Sequence, residues 1–166
     1  MTRPARDEDV PAMRDIERAA GKAFADIGMA LVAEDEPLPA RTLLKYVRAG
    51  RAWVYTVDDR PVAYLIAEVV DGNAHLEQVS VHPDHARRGI GRALLDRMIE
   101  WARTRRLPAV TLTTYTEVPW NGPYYERLGF RYLAGSETTP GLRAIRETEA
   151  AHGLDSWPRA CMLREL

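Results

Sequence analysis

The chain of 166 residues is long enough for one domain with a packed core, and no Ser/Gly-rich or Pro-rich stretch divides it, so it reads as a single domain over 1–166. Its formal net charge is -1 with 28% charged residues, which argues against nucleic acid as a partner and requires any anion site to be local. The opening "MTRPARDEDV" carries no apolar run, no stretch of about twenty apolar residues follows, and Cys161 is the single cysteine; the expectation is a soluble cytoplasmic protein without signal peptide, membrane span or internal disulfide.

Val10, Met13, Ile16, Ala20, Phe24 and Ile27 recur at helical spacing and predict a first helix, with Asp9 as N-cap and Pro11 tolerated in the first turn. The polar, proline-bounded "AEDEPLP" reads as a loop, and Leu43, Leu44 and Val47 predict a short helix over 40–48. "AWVYTV" (52–57) and "VAYLIAEVV" (62–70) are rich in β-branched and aromatic residues and are separated by the turn signal "DDRP". "DGN" at 71–73 then leads into "AHLEQVSV" (74–81), which completes an antiparallel meander. A helix is expected over 89–105, where Ile90, Leu94, Leu95, Met98 and Ala102 fall on one face. Beyond it, "AVTLTT" (109–114) is a strand, "GPYYERLG" a short helix from Pro123, "FRYL" a strand, 141–152 a helix and "RACMLRE" (159–165) a closing strand. The fold class is mixed α/β.

The stretch "VHPDHARRGIGRALLDRM" (81–98) sets two glycines at the start of that amphipathic helix, where glycine is unfavourable by roughly 1 kcal/mol relative to alanine. A helix start exposes unpaired N–H groups and a partial positive charge, and glycines let a phosphate approach them. The amides of Arg88, Gly89, Ile90, Gly91 and Arg92 and the side chains of Arg87 and Arg88 would suit a pyrophosphate, while a solvated basic rim on a tight loop is the plainer alternative. No Gly-Lys-Ser/Thr follows, which excludes a Walker A loop, and Leu94 stands at the third glycine position of a dinucleotide fingerprint.

"ARRGIG" (86–91), lying between a meander and an amphipathic helix, together with the later "NGPYYERLGF", resembles the GNAT superfamily of acyl-CoA-dependent N-acetyltransferases. Ala86 stands where the family's motif has Gln or Arg. "TYTEVPWNGPYYERLGF" with the closing "RACMLREL" is similar to one bacterial branch of that superfamily. The resemblance implies a mostly antiparallel mixed sheet of about six to seven strands flanked by helices, with a V-shaped opening between the family's fourth and fifth strands. It implies acetyl-CoA as co-substrate, no metal, and a homodimer.

An alkylamine of pKa about 10.4 is neutral in only about one molecule in a thousand at pH 7, so acetyl transfer to it benefits from a base. His75, Glu77 and Val79 share one face of the strand at period two. His75 lies where many family members carry their catalytic Glu, and the expected base is Glu77, with His75 as alternative or relay partner. By resemblance the Val79 amide stabilises the thioester oxygen as charge develops, the edge of Val79, Ser80 and Val81 pairs with the pantetheine amides, Tyr125 protonates the departing sulfur, and Asn121 contacts the cofactor. Cys161, without a recognisable His partner, argues against an acyl-cysteine. The acidic run Glu34, Asp35 and Glu36 and the aromatics Tyr115 and Trp120 are candidates for the acceptor side. The expected acceptor is a small-molecule primary amine, with a protein lysine or N-terminus, or a catalytically silent CoA-binding module, as the alternatives.

Overall fold

The computed structural model describes residues 1–166. Its strands are β1 (Thr2–Pro4), β2 (Ala52–Val57), β3 (Arg60–Val70), β4 (Asn73–Val81), β5 (Ala109–Tyr115), β6 (Arg131–Tyr132) and β7 (Arg159–Glu165); its α-helices are α1 (Val10–Gly21), α2 (Ala30–Ala33), α3 (Ala40–Arg48), α4 (Ile90–Thr104), α5 (Gly122–Arg127) and α6 (Pro140–Ala151). Hydrogen-bonded neighbours run β1-β2-β3-β4-β5-β7-β6, with a parallel β4–β5 pair and antiparallel pairs β1–β2, β2–β3, β5–β7 and β6–β7. The expected mixed, mostly antiparallel sheet is present. No helix is long and apolar enough to cross a membrane.

Two compact units are distinguished, Met1–Ala67 with Glu77–Met98, and Glu68–Leu76 with Ile99–Leu166. In the first, Val10, Met13 and Ile16 of α1 and Leu43 of α3 pack with Val54, Tyr64 and Ile66 of β2 and β3, and Leu38, Leu44 and Val47 border this cluster. Burying each such large apolar side chain contributes about 1.5–3 kcal/mol, which is why the helical spacing of α1 survives as structure. In the second, Val110 and Leu112 of β5, Met162 of β7 and Leu142 of α6 are almost wholly buried.

Tight turns join the strands of the meander. Asp58 (φ 51) and Asp59 (φ 61) carry the chain from β2 to β3, and Asp71 (φ 52) and Gly72 (φ 80) from β3 to β4. Two consecutive left-handed residues match the twist of a hairpin, and Asp and Gly tolerate them best.

Several boundaries differ from the sequence reading. The first helix stops at Gly21 and continues as a 3-10 helix over Lys22–Ile27, ended by Gly28 in the left-handed conformation (φ 79). A 3-10 turn repeats every three residues, so the 3.6-residue spacing drifts and Ile27 ends 44% exposed. Asp9 stands at the N-cap but its side chain does not cap α1. Its carboxylate instead accepts from the Arg6 amide at 2.8 Å and from Arg3 at 2.7 and 3.0 Å. Strand β1 and helix α2 were not expected; β1 exists through its pairing with β2, Thr2 opposite Tyr55 and Pro4 opposite Trp53. "FRYL" shrinks to Arg131–Tyr132.

Candidate functional site

The glycine corner belongs to the first unit. A 3-10 turn over Pro83–His85, fixed by the Asp84 amide donating to His82 Nδ1 at 3.1 Å, leads into Arg87 at φ 62 and Gly89 at φ 74, and α4 begins at Ile90. A left-handed residue directly before a right-handed helix turns successive N–H groups toward a common point, which makes an anion-binding concavity. Arg87 holds that conformation at a cost of roughly 1–2 kcal/mol that glycine would avoid. A Cβ on Gly89 would meet nothing within 4 Å, so the backbone conformation, not crowding, explains the glycine, and the space above it is open. The first helical rung is Ala93 N–H to the Gly89 carbonyl at 3.0 Å, which leaves the amides of the opening turn directed off the helix end. Arg87, Arg88 and Arg92 are exposed, Gly91 is half-buried, and Ile90 anchors the corner at 4% exposure.

Along β4, the predicted edge residues Val79 and Val81 are half-buried, while Ser80 is buried and its Oγ accepts from Gln78 Nε2 at 3.0 Å. Ser80 therefore offers an outside partner its backbone only. Glu77 is exposed. Burial and then the charge of Glu77 push the phenol of Tyr46, on α3, up to about 12.

In the second unit, the parallel β4–β5 ladder has only two rungs, Ala74 opposite Val110 and His75 opposite Thr111, although β4 runs on to Val81 and β5 to Tyr115. At its last rung His75 is 2% exposed and its Nδ1 lies 2.8 Å from Thr111 Oγ1, whose hydroxyl reaches the Ala74 carbonyl at 3.5 Å. With that hydroxyl donating, Nδ1 carries the ring proton. Burial depresses the imidazole to about 4, against a weaker opposite effect of Glu149, so the ring is neutral at pH 7. His75 and Glu77 thus share a face by periodicity yet occupy opposite environments, one buried and one exposed.

Tyr125 lies on α5, 8% exposed, with its ring edge-on to Phe130 (5.7 Å) and Tyr124 (5.4 Å). Burial and then Tyr124 push its phenol well above the ordinary tyrosine range. Asn121 precedes α5, and its side chain does not cap the helix. Its Oδ1 accepts from the Thr114 hydroxyl at 2.8 Å instead. Tyr115, 5% exposed, lies under the Arg159 guanidinium at 4.3 Å and edge-on to Trp157, whereas Trp120 is 41% exposed. Arg159 in turn holds Glu149 through Nε at 3.2 Å and a second nitrogen at 3.0 Å. Cys161 is buried, and burial raises its thiol. His82 and His85 meet edge-on at 6.3 Å. Glu34, Asp35 and Glu36 are exposed.

The sequence reading passed over Thr111, Thr114, Glu149 and Arg159. The signal for the threonines was present: hydroxyls recur in a strand, "AVTLTTY", whose neighbours are apolar, and a buried hydroxyl needs a partner. Nothing local marks the partner.

The seven-stranded α/β sheet thus carries a two-rung parallel ladder beside its last meander strand, and a glycine corner opens the next helix. A profile of the Acetyltransferase (GNAT) family matches residues 12–130, and the chain belongs to that family. Among curated relatives, the [Ribosomal protein bS18]-alanine N-acetyltransferase of Salmonella typhimurium is 39% identical over 75 residues, 45% of this chain and 51% of the relative. The chain thus spans about half the length of the curated relatives it matches. The ribosomal-protein-S18-alanine N-acetyltransferase of Escherichia coli superposes with a TM-score of 0.68 at 21% identity, covering 99% of this chain and 92% of that one. The PaiA N-acetyltransferase of Thermoplasma acidophilum, crystallised in complex with coenzyme A, superposes with a TM-score of 0.74 at 13% identity, covering 100% and 98%. At these identities the structural likeness is one of fold.

Proposed function

We propose that this chain is an acetyl-CoA-dependent N-acetyltransferase that passes the acetyl group directly to a primary amine without an acyl-enzyme. The observation that carries the proposal is the backbone at 87–92, where left-handed Arg87 and Gly89 open α4 ahead of its first rung, Ala93 to Gly89, with three exposed arginines around them. That donor set fits a diphosphate: N–H groups and guanidinium groups supply charge-assisted bonds without a metal. Arg87, Arg88, Gly89, Ile90, Gly91 and Arg92 would hold it, and the backbone of Val79, Ser80 and Val81 would pair with the amides of the pantetheine arm. Bound acetyl-CoA supplies the activated acyl group as a thioester.

Glu77 acts as the base, directly or through water. Its exposure supports this assignment over His75, whose neutral ring is tied to Thr111 inside the fold. The Val79 N–H stabilises the oxygen as it gains charge, an effect that needs no reorganisation because the strand already orients it. Tyr125, from the "YERLGF" block, serves the leaving sulfur. Burial keeps its phenol protonated until the thioester breaks, and it then gives that proton to the departing sulfur, so that coenzyme A leaves as the thiol. With its Oδ1 taken by Thr114, Asn121 offers the cofactor its Nδ2 donors.

For the acceptor, a small-molecule amine is the first reading. A protein N-terminus is the second, favoured by the relatives named as alanine N-acetyltransferases of a ribosomal protein. The setting is the cytoplasm and the assembly a homodimer, which light scattering checks. Incubation with acetyl-CoA and either a panel of alkylamines or a peptide with N-terminal alanine, followed by thiol detection, separates the readings. Acceptor-dependent thiol release is expected in one arm. Release in neither, from folded protein that binds coenzyme A, leaves a silent binding module. Tyr125→Phe should lower kcat roughly tenfold or more while sparing acetyl-CoA affinity.

A further inference from the structure

We propose that Thr114 and Asn121 form a positioning pair that sets the Tyr125 phenol, an inference that rests on the reading of Tyr125 given above. Val110, Leu112 and Thr114 alternate along one face of β5 and are 0%, 1% and 2% exposed. Valine would fill the third place with the same shape and no polar group to satisfy, so a threonine there needs its hydroxyl to be used. It is used on Asn121 Oδ1 at 2.8 Å.

From Asn121 the constraint passes into α5. The Asn121 carbonyl accepts the Tyr125 amide at 3.0 Å, and the Tyr125 carbonyl accepts the amides of Leu128 and Phe130, each at 3.0 Å. Gly122 adds an independent restraint. A Cβ there would run into the Tyr132 hydroxyl and press on the Tyr115 carbonyl at 3.1 Å and Thr116 Cα at 3.2 Å, so the start of α5 sits directly on the end of β5 and a larger residue would push the two apart. Tyr125 is thus bonded through its amide to Asn121, the residue that Thr114 holds, and its ring lies edge-on to Phe130. A proton donor with one target gains from a seat fixed in this way.

Thr114→Val removes the hydroxyl at constant shape, and Thr114→Ser retains it. With acetyl-CoA saturating, Thr114→Val should lower kcat roughly tenfold, Thr114→Ser should restore most of it, and Thr114→Val should cause no further loss in a Tyr125→Phe background. Amide hydrogen exchange is read in parallel, and the Tyr125 N–H should lose protection in Thr114→Val while amides of β7 keep theirs. Equal losses of kcat in both backgrounds, or unchanged exchange at Tyr125, would overturn the proposal. Should Tyr125→Phe alone turn over at the parent rate, the catalytic reading of Tyr125 fails and takes the purpose of the pair with it. The exchange data then still report whether Thr114 restrains α5, so the two failures are told apart.

Discussion

A single histidine shows how burial redirects chemistry. Strand periodicity offers His75 as a base, but its place at the last rung of the β4–β5 ladder makes it a neutral donor to Thr111. With a folded pKa of about 4 and an ordinary value of 6.5, the unfolded chain takes up the proton first. The contribution of His75 is therefore complete above pH 6.5 and is lost as pH falls toward 4, on the order of 3 kcal/mol in all. Urea denaturation across that range should show the slope, and His75→Gln should flatten it. Asp9 acts in a lower window. Burial alone would raise its carboxyl, but Arg3 and the Arg6 amide outweigh this and hold it below 3.8, so its contribution persists until the pH falls further. Asp9→Asn should cost about 1–3 kcal/mol at pH 7, because Arg3 and the Arg6 amide lose a charged acceptor.

At the scale of the element, α4 divides its labour between its ends. Leu94 and Met98 are fully buried, and Leu94→Ala should destabilise the fold by about 2–5 kcal/mol while leaving coenzyme A affinity intact in the folded fraction. Gly89→Ala should act on binding as well as on stability. It forces a Cβ into the left-handed region at a cost of about 1–2 kcal/mol, and any relaxation turns the amides away, so coenzyme A should bind roughly tenfold more weakly by calorimetry.

For the molecule as a whole, the near-neutral charge means that anion binding rests on the corner alone and not on a general field. Coenzyme A at about a hundred times its Kd should add about 2.7 kcal/mol of stability, a rise in Tm of roughly 5–10 °C for a chain of this size. Calorimetric scans with and without coenzyme A measure it. No rise in folded protein would remove the diphosphate site and the proposed function with it.

Much of this was legible in the sequence because the signals are local. The five residues on the expected face of α4 are all buried, the two hairpins turn where Asp and Gly permit left-handed backbone, and the glycine corner sits where a helix start needs it. Each depends on a few neighbouring residues and on steric rules that hold anywhere in a chain. The tertiary structure decided the rest. Three residues of β1 become a strand only because β2 pairs with them, and Thr111 withdraws His75 from solvent across a separation of 36 residues. The Thr114 hydroxyl finds Asn121 because α5 folds back onto β5 at a glycine. A hydrogen-bond partner brought near by folding leaves no periodic trace in the sequence, so only the assembled sheet could show which hydroxyl, imidazole or carboxylate was already engaged.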